Sequence, residues 1–323
     1  MRAPFVILPA LLYASAAHAD IDPKCQDIPR PDDYDEQVQG DFQANYFALA
    51  SSQSPMHAAI PHEPGHGSIG VDAKVIPGLT CDQRYVLNWT KTEQTNKSPM
   101  LPQISASFAF PAIKDIAVPY AGFSVLPALP FGDPYNAKGS GDLPVCDGTV
   151  PLTECRRRTR NLVISGEIGV GFRIHPRFEA GLRGHVTTIR TLGDIATAFD
   201  PETEPSVEDI YQASTWGIDV LAGVPIEVGK QKLTPYAAVG YLDASTQFFV
   251  GDDSYYANNL HPYAGAAFSV GLDTLLMKHL RLAAEFYGAP GGYSTPDKTV
   301  ESVDQGSRYG HLYTARARIG VEF

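Results

Sequence analysis

A short run of histidine and glutamate has the spacing that most clearly suggests chemistry. His62, Glu63 and His66 match the letters H-E-x-x-H, a zinc motif that needs a helix so that both histidines share one face. Pro64 and Gly65 stand inside the run, and both residue types oppose a helix. We interpret the run as a turn that leads into a first strand, and the sequence predicts no metal site and no cofactor.

A second group consists of charged side chains that alternate with apolar ones. Successive side chains of a strand point to opposite faces, so the alternation predicts strands with one charged face and one apolar face. The group carries both signs in near balance, and we expect ion-pair networks, because an isolated buried charge is costly. Its members are Asp72, Lys74, Glu167, Arg173, Glu179, Arg183, His185, Asp219, Glu227, Asp273, Arg281, Glu285, Arg316, Arg318 and Glu322.

The elements that carry these charges form a long series of predicted strands after residue 66. The clear segments and two weaker ones add up to ten strands, at residues 68–76, 103–110, 116–125, 162–174, 178–188, 216–228, 233–249, 264–274, 280–287 and 313–323. Residues 84–90 could form another strand, and a further one could lie nearer the N-terminus. Ten strands are therefore the first choice and twelve the second.

The length of these segments favours a membrane-spanning barrel. Globular strands average roughly 5–6 residues, whereas a tilted membrane crossing needs roughly 9–11. In lipid only helices and closed barrels satisfy every backbone group, and beyond residue 19 no apolar run reaches the roughly 20 residues of a spanning helix. The prediction is an all-β, antiparallel up-and-down transmembrane barrel with a charged lumen. A soluble sandwich or lipid-binding barrel, with the apolar row inside, is the alternative.

The connections between the segments alternate in length. Short ones fall at residues 112–114, 175–176, 229–231 and 276–278, and long ones at 127–158, 193–212, 251–259 and 288–307. Outer-membrane barrels have short periplasmic turns, long outer loops and an even number of strands. Counting back from a periplasmic C-terminus puts every long connection outside.

The N-terminus predicts export. Arg2, an apolar run at residues 5–12 and the sequence Ala17-His18-Ala19 are typical of a signal peptide, here residues 1–19. Residues 20–65 are polar and not strand-like, so we expect a pre-barrel segment that either plugs the lumen or lies in the periplasm. The barrel itself is assigned to residues 66–323.

The cysteines are expected to be oxidised in an exported protein. Cys146 and Cys155 enclose one short loop and are predicted to pair, which leaves Cys25 to pair with Cys81. Neither pair has the spacing of a redox-active CxxC motif.

The terminal strand carries a resemblance to a known class. Residues 313–323 alternate strictly, and their apolar row is Tyr313, Ala315, Ala317, Ile319, Val321 and Phe323. This strand resembles the C-terminal strand of Gram-negative outer-membrane β-barrels, which carries their folding signal. The resemblance implies a location in the bacterial outer membrane. It also implies outer-membrane lipids, lipopolysaccharide, the barrel-assembly machinery and periplasmic chaperones as partners.

Several function classes remain open. A net charge of −11, from 25 basic and 36 acidic residues, disfavours a nucleic-acid partner. A wide porin would need about 16–18 strands. The leading hypothesis is a narrow polar lumen that passes small solutes, and the alternative is a non-conducting structural or surface-interaction barrel. A third is an outer-membrane lipid-modifying enzyme, but no serine is well placed beside His185, His261 or His311, so no catalytic residue is predicted.

Overall fold

The computed structural model describes residues 24–32, 39, 46, 48, 49, 52, 56–75, 80–86, 91–92, 102–126, 160–193, 209–229, 231–250, 253–254, 259–290 and 312–323. The predicted signal peptide lies outside the described residues. The elements, in chain order, are β1 (Gly67–Val75), α1 (Cys81–Arg84), β2 (Tyr85–Val86), β3 (Lys91–Thr92), β4 (Gln103–Ala109), β5 (Ala117–Leu126), β6 (Arg160–His175), β7 (Phe178–Gly193), β8 (Asp209–Gly223), β9 (Ile226–Val228), β10 (Gln231–Val250), β11 (Asp253–Ser254), β12 (Asn259–Leu276), β13 (Leu280–Ala289) and β14 (Leu312–Glu322).

Ten of these strands close into an antiparallel barrel in the order β1-β4-β5-β6-β7-β8-β10-β12-β13-β14. The ring closes where β1 pairs with β14, from Ser68 opposite Glu322 to Val75 opposite Ala315. The predicted fold class and the count of ten are confirmed. The candidate strand at residues 84–90 is not part of the wall, because β2 pairs only with β3, in a separate two-stranded sheet.

The wall of the barrel is apolar outside and polar inside. Along β14 the residues alternate strictly between buried and exposed. The buried set includes Arg316 and Arg318, whereas Ile319 is 56% exposed and Ile168 on β6 is 71% exposed. A belt of exposed aliphatic side chains around a closed barrel is typical of a protein whose outer face meets lipid. In the described part of the chain, no helix has the length and apolar character of a membrane span.

The two ends of the barrel differ in their connections. At one end, named here the short-turn end, β6 and β7 are joined by residues 176–177 and β12 and β13 by residues 277–279. At the other, the long-connection end, residues 76–102, 127–159 and 290–311 separate successive wall strands. The distribution matches the alternation of connection lengths expected from the sequence.

The apolar core of the barrel lies in the half of the lumen nearer the long-connection end. The wall supplies inward side chains to it, and the N-terminal segment supplies Tyr46, Ala48 and Leu49, which are helical. The wall residues of this cluster are Leu126, Val163, Ile189, Tyr211, Ala213, Leu242, Ala244, Ala267, Tyr287, Ala289 and Leu312. Because these residues belong to eight of the ten wall strands, Tyr46, Ala48 and Leu49 lie inside the barrel.

Candidate functional site

The inner face of the wall carries most of the charged residues expected there. The buried members are Asp72, Lys74, Glu167, Glu179, Arg183, His185, Asp219, Asp273, Arg281, Glu285, Arg316, Arg318 and Glu322. Arg173 is partly exposed at the short-turn end, where it pairs with Glu63 of the N-terminal segment.

Glu227 differs from the expectation, because it is exposed on β9. The predicted strand at residues 216–228 is interrupted after Gly223. Pro225 follows and has no backbone N–H to continue the hydrogen-bond ladder. Residues 226–228 pair only with β10, at the short-turn end of the barrel. Glu227 keeps the inward phase of β8 but lies past the end of the enclosed space.

One ion-pair network joins the neighbouring strands β7 and β8. Arg183 on β7 donates twice to Oδ2 of Asp219 on β8, at 3.0 and 2.6 Å. His185 Nε2 lies 3.4 Å from the same oxygen. Two nitrogen-bearing partners on one carboxylate offset its loss of hydration, which is the condition for burying a charge.

A second network lies across β13 and β14. The guanidinium of Arg316 donates to Glu285, which also accepts a hydrogen bond from Tyr236 at 2.9 Å. The same guanidinium lies 4.6 Å from the ring centroid of Tyr287, a cation–π distance. Tyr287 faces inward, so its ring covers the ion pair.

The N-terminal segment continues from the helical residues toward the short-turn end. Ser52 accepts a hydrogen bond from Thr215 at 2.9 Å through its side chain, and Lys74 Nζ donates to its carbonyl at 3.4 Å. Farther along, His57 is fully buried with Nε2 at 3.0 Å from Glu167. The described residues of the segment thus lie along the lumen, from the long-connection end toward the short-turn end, in the order of the sequence.

The next residues of the segment fit a notch in the wall. Gly171 on β6 and Gly181 on β7 are paired neighbours. A Cβ atom at Gly171 would lie against Ala59 O and 2.6 Å from Ile60 Cγ1, and one at Gly181 would lie 3.2 Å from Ala59 O. The missing side chains therefore make room for the backbone of the N-terminal segment.

His62 ends this path among residues that look like a hydrolase triad. Its Nε2 lies 2.7 Å from Ser107 Oγ and its Nδ1 lies 3.2 Å from Glu322 Oε2. Arg281 Nη1, however, lies 2.8 Å from the same Nδ1. A guanidinium can only donate, so Nδ1 accepts and the neutral ring carries its proton on Nε2.

That tautomer is the opposite of what a serine nucleophile needs. A general base must accept the serine proton at Nε2 while its Nδ1–H donates to the carboxylate. Here His62 donates to Ser107, and Arg281 is engaged by Asp273 and Glu322. The group joins the N-terminal segment to β4, β13 and β14.

The H-E-x-x-H run is a turn, with His62 buried and His66 exposed. Glu63 Oε1 is 3.6 Å from Lys232 Nζ at the short-turn end. In the described part of the chain no three His, Cys, Asp or Glu side chains are grouped so as to hold a metal ion.

Two small cavities lie among the described residues of the lumen. A cavity of about 50 Å³ opens at the short-turn end beside His62 and Arg281. A second, of about 10 Å³, lies between Asp72, Glu167 and Arg318 and is lined by serine hydroxyls. One water needs about 10–15 Å³, so the second cavity has room for roughly one water.

A disulfide lies at the long-connection end. Cys25 is bonded to Cys81, as predicted. Cys25 O accepts a hydrogen bond from Tyr85, and Gln39 Nε2 donates to Asp82 O at 3.1 Å. Cys146 and Cys155 lie outside the described residues.

Sequence reasoning missed the lumen residues of the N-terminal segment. His57 and His62 gave no periodic signal, because a chain that the barrel surrounds on every side has no solvent-facing row. Tyr120 and Tyr236 lie on the strands with weak alternation, and each ring fits over an inward glycine, Gly169 or Gly271. A glycine opposite an inward aromatic was the available signal.

The comparisons with known proteins found matches only among solved structures. No family model and no curated protein matches the chain. The translocator domain of the autotransporter NalP from Neisseria meningitidis is 11% identical, with a TM-score of 0.40 over 82% of this chain and 90% of that one. The outer-membrane protease OmpT from Escherichia coli is 9% identical, with a TM-score of 0.39 over 84% of this chain and 98% of that one. The toluene transporter TodX from Pseudomonas putida is 13% identical, with a TM-score of 0.31 over 80% of this chain and 67% of that one. These proteins differ in activity, so the comparison assigns none to this chain.

Proposed function

We propose that this protein is a bacterial outer-membrane barrel that its own N-terminal segment keeps closed, and that it acts through its long connections at the cell surface. The observation that supports closure is the position of residues 57–62. His57, Ala58 and His62 hydrogen-bond inward groups of β4, β6, β12 and β13. A chain bonded to the wall on several sides occupies the path that a solute would take.

The orientation follows from the two ends. We assign the short-turn end to the periplasm and the long-connection end to the exterior, as in barrels of this type. The outer face would then contact membrane lipids and lipopolysaccharide. Insertion would depend on the barrel-assembly machinery and periplasmic chaperones, and we assign no catalytic role.

Passage of small polar solutes is the second candidate function. The charged inner row favours it, because Asp72, Lys74, Arg183 and Arg318 would line a polar path if the segment moved aside. In the closed arrangement those groups are buried, and the cavity between Asp72 and Arg318 measures about 10 Å³. Conduction would therefore require displacement of the segment.

Planar-bilayer recording of the refolded oxidised protein tests closure. We expect no conductance steps above leak. Regular steps in the wild-type protein would refute the closed barrel and favour the channel.

Labelling of intact cells tests the orientation. A membrane-impermeant amine reagent should modify Lys138 and Lys298 in the long connections. Lys114 and Lys278 belong to the short turns and should react only after lysis. Reaction of Lys114 or Lys278 on intact cells would reverse the assignment.

A further inference from the structure

The N-terminal segment is tied down at both ends of the barrel. At the short-turn end it runs directly into β1, and its last residues join the wall by backbone hydrogen bonds. Gly65 N donates to Ala109 O at 2.9 Å, Ala109 N donates to His66 O at 2.9 Å, and Phe323 N donates to Gly67 O at 2.9 Å. Withdrawal of this end toward the exterior would break the first strand of the wall.

At the long-connection end the tie is covalent. Cys25 is bonded to Cys81 in α1, and α1 follows β1 after that strand has crossed to the long-connection end. Cys25 is fully buried, with Arg84 Nη1 3.5 Å from its sulfur. The bond closes a ring with a sequence separation of 56 residues, which contains the lumen segment and β1.

We propose that the Cys25–Cys81 disulfide is a latch that keeps the N-terminal segment threaded through the lumen. The proposal rests on the closed barrel proposed above and names what maintains it. While the bond is intact, the chain between Cys25 and Gly67 must join one end of the barrel to the other. Lipid surrounds the wall and cannot take an unpaired backbone, so the chain can run only through the lumen.

Reduction removes this constraint. A dithiol reductant gives two electrons and two protons to the S–S bond, which becomes two thiols, and the dithiol becomes a cyclic disulfide. The N-terminal segment is then no longer tied at Cys25 and can withdraw toward the short-turn end. Its other bonds to the wall, such as His57 with Glu167 and Ser52 with Thr215, are non-covalent and can exchange with water.

Ion pairs between wall strands would stabilise the barrel after the segment leaves. Arg183 with Asp219 and Arg316 with Glu285 are pairs between wall strands, so they do not need the segment. Departure of the segment would break its own hydrogen bonds to the wall, such as those of His57, Ala58 and His62. A vacated lumen would therefore keep its ion pairs, and nearer the long-connection end it would be lined by the apolar side chains of the wall.

Planar-bilayer recording with matched cysteine variants tests the latch. We compare the oxidised wild type, the wild type after dithiothreitol, the pair Cys25→Ser with Cys81→Ser, and the pair Cys146→Ser with Cys155→Ser as control. Oxidised wild type and control should be silent. The reduced wild type and the first pair should show conductance steps at least tenfold more often than the oxidised wild type.

Each outcome separates this inference from the closed barrel. If the Cys25→Ser and Cys81→Ser variant is folded and as silent as the wild type, the latch is wrong and the closed barrel stands. If the oxidised wild type conducts and reduction changes nothing, both are wrong. If it conducts and reduction raises the event rate tenfold, full closure is wrong, but the disulfide still restrains the segment in the lumen. Should the variant fail to fold, reduction of the folded oxidised protein decides in the same way, once thiol labelling has shown that Cys25 and Cys81 are reduced.

Discussion

Gly171 should not tolerate even one methyl group, although it lies in a strand where alanine is ordinarily preferred. A Cβ atom there would lie 2.6 Å from Ile60 Cγ1 and against Ala59 O, whereas ordinary contacts begin at 3.4 Å. The segment or the wall must shift by about 0.8 Å at this contact. Overpacking of this kind costs about 1–3 kcal/mol. We therefore expect Gly171→Ala to destabilise the folded protein.

The matched control is Gly166→Ala on the same strand. A Cβ atom at Gly166 would find its nearest neighbour, Val186 Cγ1, at 4.0 Å. Replacing a strand glycine by alanine gains about 0.5–1 kcal/mol through backbone entropy, and both variants share this gain. Gly166 is in the outward row with Ile164 and Ile168, so its methyl group also gains contact with lipid. Subtracting one from the other therefore leaves at least the packing cost of about 1–3 kcal/mol, which is about 5- to 140-fold in the unfolding equilibrium.

Reversible urea unfolding in lipid vesicles, followed by tryptophan fluorescence, measures the difference. Gly181→Ala should fall between the two, because its Cβ atom would lie 3.2 Å from Ala59 O. The order of stability should thus be Gly166→Ala, then Gly181→Ala, then Gly171→Ala. Equal stability of the first and last would mean that the segment does not occupy the notch.

Further changes test the wall and its lumen. Arg183→Met should lower the free energy of unfolding by about 3–5 kcal/mol, because it leaves Asp219 buried without its main partner, and adding Asp219→Leu should recover most of this loss. Urea unfolding measures both variants, and a double variant less stable than Arg183→Met would contradict the buried ion pair. Ile168→Arg, on the outer face midway along β6, should lower the free energy of unfolding by about 2–4 kcal/mol, whereas Val228→Arg on β9 should lower it by about 0–1 kcal/mol. Equal losses for the two variants would contradict the contact of Ile168 with lipid. Ser107→Ala should cost about 0.5–1.5 kcal/mol because it removes a hydrogen bond, and the wild-type serine should not react with a fluorophosphonate probe, whose attachment would revive the hydrolase hypothesis.

The wall was predictable from the sequence because it has two faces with different solvents. The strict alternation at residues 313–323 determines which side chains of β14 face lipid. A long alternating run leaves only one register that hides the charges. The alternation is weaker in the two strands where apolar aromatics such as Tyr120 and Tyr236 face inward, because there both faces of the strand carry apolar residues.

The contents of the lumen were not predictable in the same way. The alternation placed Arg183 and Asp219 on one face, but their pairing depends on how two strands are staggered around the ring. The N-terminal segment has no repeating pattern, since its surroundings are the barrel on every side. Glu227 shows the same limit, because alternation does not reveal where the enclosed space ends.

The position of His62 has a consequence for sideways exit from the barrel. The β1–β14 pairing is where the ring closes, with residue pairs from Ser68 to Val75. His62 donates to Ser107 on β4 and accepts from Arg281. Arg281 in turn pairs with Glu322 on β14, so this group joins the two strands that flank β1. In the closed barrel proposed above, an apolar molecule leaving sideways beside β1 would first have to break this connection. The same short stretch of chain would then oppose both axial exit and exit into the bilayer.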